Sequence, residues 1–132
     1  MKEEQIESGF IFNNNYKLES AAEGKAVMSA TITETSLNPY STAHGGFIFG
    51  LADTAAGLAC NTFGRPAMTV NANIEYLHAV KGNKIIAEAK CIKNGKTISV
   101  YEVDIYDEDK RVVAKSTITY FYIPADRFSD SN

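Results

Sequence analysis

The stretch from Phe47 to Asn61 constrains the fold most, because its residues are apolar or small on nearly every side of a helix. A helix without a polar face is buried, so the rest of the chain must surround this one. Gly45 and Gly46 come just before it, and glycine lets a backbone approach a ligand closely. Asp53 is the only charged residue inside the stretch. A carboxylate in the middle of a buried helix is therefore the first candidate functional group.

The segments on both sides of this helix alternate between apolar and polar residues, as strands do. The first two should form a hairpin that turns at Glu23-Gly24, and Asn94-Gly95 suits a second tight hairpin. A charged turn over 107–110 is expected to be a solvated hairpin tip, and a short helix is expected within 3–13. Hairpin, helix and four further strands predict an α+β domain, in which one antiparallel sheet wraps around the central helix. The predicted strands are 16–22, 25–34, 68–77, 84–93, 97–106 and 111–123.

Composition limits the class of protein. At 132 residues and 45% hydrophobic, the chain is expected to form one domain over 1–132, with an N-terminal segment at 1–15 and a flexible tail at 124–132. The net charge is −3 and the basic residues are scattered, which argues against a nucleic-acid partner. No apolar run is long enough for a membrane span, and the acidic N-terminus is unlike a signal peptide, so a cytoplasmic protein is expected. Cys60 and Cys91 lack metal-ligand spacing and are interpreted as reduced core residues.

One motif is more specific than these patterns. His44-Gly45-Gly46 is followed, after four residues, by Leu51-Ala52-Asp53-Thr54-Ala55, with Leu37-Asn38 upstream and Ala59-Cys60-Asn61 downstream. This combination resembles the hotdog-fold acyl-CoA thioesterases of the phenylacetyl-CoA type, the PaaI-like group, and the likeness covers about 16–122. The resemblance implies a hotdog fold and hydrolysis of an acyl-CoA thioester by a homo-oligomer, often a dimer of dimers, so that a homotetramer is expected. It implies no metal and no cofactor, since CoA is part of the substrate.

The same resemblance implies that Asn38, His44, Gly45 and Asp53 form the active site. Thioester hydrolysis needs a donor for the developing oxyanion, and the Gly45 N–H at a buried helix N-terminus can supply it. Asp53 would be the nucleophile or the general base, and the sequence leaves both roles open. Asn38 would hold the carboxylate or the water, or would only form a turn before Pro39. His44 would orient the thioester or support the turn.

Five residues are predicted to contact the substrate. Gly46 shares the helix start, Thr54 follows the candidate carboxylate, and Asn61 would line an acyl pocket. Lys96 is the best candidate for binding the CoA phosphates. His78 is the fifth, at a position where the family that the chain resembles often has Arg-Pro.

The spacing of two candidate residues predicts a shared site. Gly45 and Asp53 are eight positions apart, which is about 12 Å along a helix, so both cannot contact one thioester carbon. If both are catalytic, Gly45 of one subunit must act with Asp53 of another, across antiparallel central helices. A homodimer would then be required for the site.

Two other functions are compatible with the sequence. A hotdog enoyl-thioester hydratase or dehydratase would use a histidine and a carboxylate for proton transfer at carbon. A non-catalytic acyl-CoA-binding module would have no need for a buried carboxylate at Asp53. The motif favours hydrolysis over both.

Overall fold

The computed structural model describes residues 9–124. A helix over Gly9–Asn13 coincides with the end of the predicted N-terminal helix, whose residues 3–8 lie outside the described residues, as do residues 125–132 of the predicted tail. No helix between residues 9 and 124 is long and apolar enough to cross a membrane. The elements are α1 (Gly9–Asn13), β1 (Tyr16–Ala22), β2 (Lys25–Thr31), a 3₁₀ helix (Glu34–Ser36), α2 (Gly45–Asn61), β3 (Ala67–Tyr76), β4 (Lys84–Asn94), β5 (Ile98–Tyr106) and β6 (Val112–Tyr122).

The six strands form one antiparallel sheet in the order β1-β2-β4-β5-β6-β3. Alternation along the strands sends one set of apolar side chains towards α2, among them Met28, Ile85 and Val103, which are almost completely buried. Leu51 and Ala55 of α2 are buried in the same core. The predicted α+β hotdog architecture, a sheet wrapped around one long helix, is confirmed.

Two glycines of α2 let the sheet's tyrosines reach the helix backbone. A Cβ at Gly50 would lie 2.6 Å from the Tyr16 hydroxyl, which donates to the Phe47 carbonyl at 2.6 Å. A Cβ at Gly57 would lie 3.3 Å from the Tyr120 hydroxyl. Because any other residue adds that Cβ, these glycines fix how closely α2 approaches β1 and β6.

Strand β2 is shorter than predicted. It ends at Thr31 rather than at residue 34, because the chain then turns into the 3₁₀ helix. Thr33 begins that turn: its carbonyl accepts from the Ser36 N–H at 2.9 Å, and its own N–H donates to Ser36 Oγ at 3.2 Å. These local bonds replace the pairing that a longer strand would have made.

The second predicted hairpin turn is also less tight than expected. Asn94 is the last residue of β4 and accepts a hydrogen bond from the Tyr122 hydroxyl, so it stays in the strand. The connection to β5 comprises residues 95–97, and the Gly95 N–H donates to the Ile98 carbonyl at 2.8 Å.

The expectation of a solvated tip at 107–110 is wrong for Asp107, which is only 2% exposed. Its carboxylate accepts from the backbone N–H groups of Lys81, Asp109 and Arg111 and lies 3.6 Å from Arg111 Nε. Burial alone would raise the pKa of Asp107, but those N–H donors and the guanidinium outweigh it, so the pKa is lowered. Asp107 therefore ties the β3–β4 connection to the β5–β6 turn.

Strand β3 lies at the edge of the sheet and carries a bulge between Thr69 and Asn71. Strict alternation along the predicted strand 68–77 places Val70 on the same face as Ala72 and Ile74, yet Val70 falls in the bulge and is 56% exposed. Thr69 takes the inward position instead, because it pairs with Tyr120, an inward residue of β6.

Candidate active site

The first half of the site is the N-terminus of α2. His44 is the N-cap, with extended backbone, and its Nδ1 accepts a hydrogen bond from the Gly46 N–H at 2.8 Å. Between residues 9 and 124, no group accepts a hydrogen bond from the Gly45 N–H. The Gly46 N–H is thus used by the cap, whereas the Gly45 N–H is available at the positive end of the helix dipole.

A cavity of about 340 Å³ opens beside Gly45. The Tyr76 hydroxyl donates to the Gly45 carbonyl at 2.7 Å, and a Cβ on Gly45 would lie 3.1 Å from that hydroxyl. Ile48 and Leu77 make part of the wall apolar, and His78 also lines the cavity. The structure therefore brings His78 together with Gly45, as a binding role for His78 requires.

Asn38 holds the loop that leads into α2. Its Oδ1 accepts from the backbone N–H groups of Tyr40 at 2.9 Å and Thr42 at 3.1 Å, and its Nδ2 donates to Thr42 Oγ1 at 2.8 Å. These contacts are those of an Asx turn. Thr42 itself lines the cavity, so Asn38 shapes the cavity through the loop.

The second half of the site surrounds Asp53, which is half-buried near the middle of α2. Its Oδ1 accepts two hydrogen bonds, from Thr69 Oγ1 at 3.0 Å and from the Tyr120 hydroxyl at 2.7 Å. The Tyr120 hydroxyl also lies 2.7 Å from the Asp53 main-chain oxygen. No donor among residues 9–124 contacts Oδ2. The two carboxylate oxygens therefore differ, because two donors hold Oδ1 and none of these donors holds Oδ2.

Thr69 and Tyr120 were not predicted as site residues. The sequence carried one usable signal, since a buried carboxylate needs hydrogen-bond donors and an inward Tyr on a strand can supply one. Burial raises the pKa of Tyr120, and the Asp53 carboxylate raises it further. Tyr120 is therefore a protonated donor at neutral pH.

Of the remaining predicted residues, Thr54 and Asn61 lie on α2, and Lys96 lies in the connection between β4 and β5. Thr54 Oγ1 donates back to the Gly50 carbonyl at 2.7 Å, a bond within the helix. Asn61 ends the helix, and Lys96 lies near that end, because its carbonyl accepts from Arg65 at 2.7 Å. The Arg65 guanidinium, which the sequence analysis did not single out, also stacks 3.6 Å above the Tyr122 ring.

Gly45 and Asp53 do not meet within one protomer. Both lie on α2, a continuous helix of 17 residues, so the rise per residue still separates them by about 12 Å. Between residues 9 and 124, no three His, Cys, Asp or Glu side chains are grouped closely enough to hold a metal ion. The chain thus carries two separate groups of candidate residues, one around Gly45 and one around Asp53, which are called the half-sites.

The family model of the thioesterase superfamily matches residues 40–114, which include Gly45, Asp53 and Thr69. The chain belongs to this superfamily. It is 36% identical over 96 residues to the acyl-coenzyme A thioesterase PaaI of Escherichia coli (strain K12), a match covering 72% of this chain and 69% of that protein. Human acyl-coenzyme A thioesterase 13 is 35% identical over 91 residues, covering 67% of this chain and 65% of that protein. The predicted PaaI-like relationship is confirmed.

A solved structure adds a comparison at the site. A hypothetical thioesterase protein from Streptococcus pneumoniae TIGR4, solved with coenzyme A, aligns with a TM-score of 0.79 at 34% identity, covering 83% of this chain and 86% of that one. Two further structures of that protein carry alanine in place of an aspartate and of a threonine sixteen positions apart. Asp53 and Thr69 have the same spacing and share a hydrogen bond.

Proposed function

We propose that the protein hydrolyses an acyl-CoA thioester to the free acid and CoA at a site shared by two protomers. The relatives named as acyl-coenzyme A thioesterases and the neighbour solved with coenzyme A support this substrate class. The observation that carries the proposal is the separation of Gly45 from Asp53 on one helix. Gly45 can supply the oxyanion donor and Asp53 the nucleophile or base, and the proposed hydrolysis needs both.

Gly45 supplies the electrophilic half. Its N–H can donate to the thioester carbonyl and then more strongly to the oxyanion, where the helix dipole adds a favourable field. His44 caps the helix and Asn38 holds the loop before it, so both keep the N–H in a fixed direction. In this arrangement His44 and Asn38 support the site, and Gly45 contacts the reacting group.

Asp53 supplies the attacking half. In one route Oδ2 attacks the thioester carbon, the C–S bond breaks to release CoA thiolate, and water then hydrolyses the resulting mixed anhydride to the free acid. In the other route Oδ2 takes a proton from the attacking water, and the tetrahedral intermediate then loses CoA thiolate, which takes up that proton. Both roles use the same free oxygen, and both need Oδ1 to be held. Thr69 and Tyr120 hold it.

Strand β3 offers the surface for dimerisation. It is an edge strand on which Met68 and Tyr76 are more than half exposed, and the unpaired N–H and C=O groups of an edge strand can pair with another chain. Thr69 bonds Asp53 and Tyr76 bonds Gly45, so both half-sites adjoin this strand. If two β3 strands paired antiparallel and were centred on Asn73, with the bulged Val70 left out of the register, Thr69 of one protomer would lie opposite Tyr76 of its partner. That pairing brings each Asp53 towards the opposite Gly45.

The proposal also covers substrate binding, assembly and location. Lys96, with Arg65 beside it, would bind CoA phosphates, while Gly46, Thr54, Asn61 and His78 would contact the substrate. A homotetramer built from two such dimers, a reaction without metal or cofactor, and a cytoplasmic location are further predictions.

Subunit mixing tests the shared site. Asp53→Ala removes the attacking half, and Gly45→Pro removes the donor half. Each variant alone should be inactive. After co-expression in equal amounts, about half of the dimers are hybrids with one intact site of two, so about a quarter of the wild-type activity should return.

Other results would contradict the shared site or the thioesterase activity. If both halves acted within one protomer, every site in the hybrid would carry one defect and no activity would return. Release of CoA thiol from a panel of acyl-CoA esters is the assay. Water addition to an enoyl-CoA without thiol release would identify a hydratase, and binding without either reaction would identify a binding module.

A further inference from the structure

We propose that Tyr120 is a positioning residue that fixes the orientation of the Asp53 carboxylate. The inference rests on the proposed function, because it assigns Tyr120 a part in the attack by Asp53. Tyr120 does not contact substrate in this proposal. It acts by holding one oxygen of Asp53 so that the other stays available.

The contacts of the Tyr120 hydroxyl are unusual because both acceptors belong to one residue. The hydroxyl lies 2.7 Å from Asp53 Oδ1 and 2.7 Å from the Asp53 main-chain oxygen. Its single proton is shared between them. The hydroxyl thereby ties the side chain of Asp53 to its own backbone, which restricts rotation of the carboxylate. Thr69 bonds Oδ1 as well but makes no bond to that carbonyl.

Tyr120 is itself held rigidly. It is 5% exposed, and its ring packs edge-on against Tyr101 with centroids 5.7 Å apart and an interplanar angle of 81°. Tyr101 is fully buried, and its hydroxyl accepts from Ser99 Oγ at 2.7 Å. A rigid donor loses little side-chain freedom when it orders the carboxylate, which is what positioning requires.

Gly57 supports the same assignment from the helix side. Glycine weakens a helix interior, yet Gly57 lies one turn after Asp53 in α2. A Cβ there would lie 3.3 Å from the Tyr120 hydroxyl and would push it by a few tenths of an ångström. The glycine leaves the space that the hydroxyl needs.

Tyr120→Phe removes the hydroxyl and keeps the ring packing. We expect kcat to fall about 10- to 100-fold with KM changed less than about threefold, since a bond to a charged group is lost and binding groups are untouched. The matched control is Tyr122→Phe, on the same strand and face, whose hydroxyl bonds Asn94 instead of Asp53. It should leave kcat within about twofold of wild type.

Gly57→Ala is the second variant. It retains the Tyr120 hydroxyl but crowds it, and alanine favours the helix. We expect its kcat to fall several-fold without a lower melting temperature, a result that loss of structure cannot give. If Tyr120→Phe failed to fold, this variant would still decide the proposal.

A double-mutant cycle completes the test. In an Asp53→Asn background, Tyr120→Phe should lower the residual rate by less than about twofold, because a positioning residue acts only through the group it positions. Unchanged kcat in Tyr120→Phe, or a change in KM alone, would overturn the proposal if Asp53→Asn is inactive. Full activity of Asp53→Asn would overturn the proposed function instead.

Discussion

Replacing Gly45 by proline removes one backbone N–H from the proposed oxyanion site while preserving the start of α2. Proline is favoured at the first helical position, where an N–H has no partner within the helix. The residue before a proline must be extended, and His44 already is, with φ −63° and ψ 136°. The substitution is therefore compatible with the local backbone.

Gly45→Ala is the matched control for steric effects. Both substitutions add a Cβ that would lie 3.1 Å from the Tyr76 hydroxyl, but alanine keeps the N–H. Tyr76 is 51% exposed, so its ring has room to move by a few tenths of an ångström. Crowding should thus affect both variants alike, and the difference between them measures the N–H.

Loss of one oxyanion donor typically costs about 2.7–4 kcal/mol of transition-state stabilisation, so kcat of Gly45→Pro should be about 100- to 1,000-fold below that of Gly45→Ala. Thiol release from an acyl-CoA ester gives kcat and KM, and circular dichroism with thermal unfolding checks that α2 remains formed. If the two variants differed by less than about threefold, the Gly45 N–H would not be the oxyanion donor.

Three further substitutions have definite expected outcomes. Asp53→Asn keeps an acceptor for Tyr120 but no base, so thiol release should fall at least about 100-fold while the melting temperature changes little. Gly50→Ala should destabilise the fold by about 1–2 kcal/mol in urea unfolding, because overpacking against the Tyr16 hydroxyl exceeds the gain in helix propensity. Asp107→Asn should remove an acid-sensitive contribution to stability. The lowered folded-state pKa of Asp107 makes that contribution present above the unfolded-state value and lost as the pH falls through the folded-state value. The free energy of unfolding of the wild type minus that of Asp107→Asn should therefore be positive at pH 7 and become smaller at about pH 3.

The central helix and the inward faces of most strands were predictable because burial there follows a simple period. The residues after Gly46, which are apolar or small on nearly every side of a helix, predicted α2. The alternation with a period of two predicted which residues of β4 and β5 point inward. The prediction for Asp107 was wrong because its burial does not follow from a local period. Its burial depends on an N–H from Lys81 in another loop, a contact that local sequence does not encode.

The position of Thr69 was also hidden from the sequence. Strict alternation from Tyr76 back to Val70 puts Val70 inward and Thr69 outward, but the bulge in β3 reverses this order. The bulge brings Thr69 within hydrogen-bond distance of Asp53 and leaves Val70 56% exposed on an edge strand. The proposed dimer would cover this edge, which exposes apolar residues beside both half-sites. The same bulge would then orient the Asp53 carboxylate and expose the surface of β3 on which the partner packs. A variant that removes the bulge should therefore lose dimerisation and turnover together.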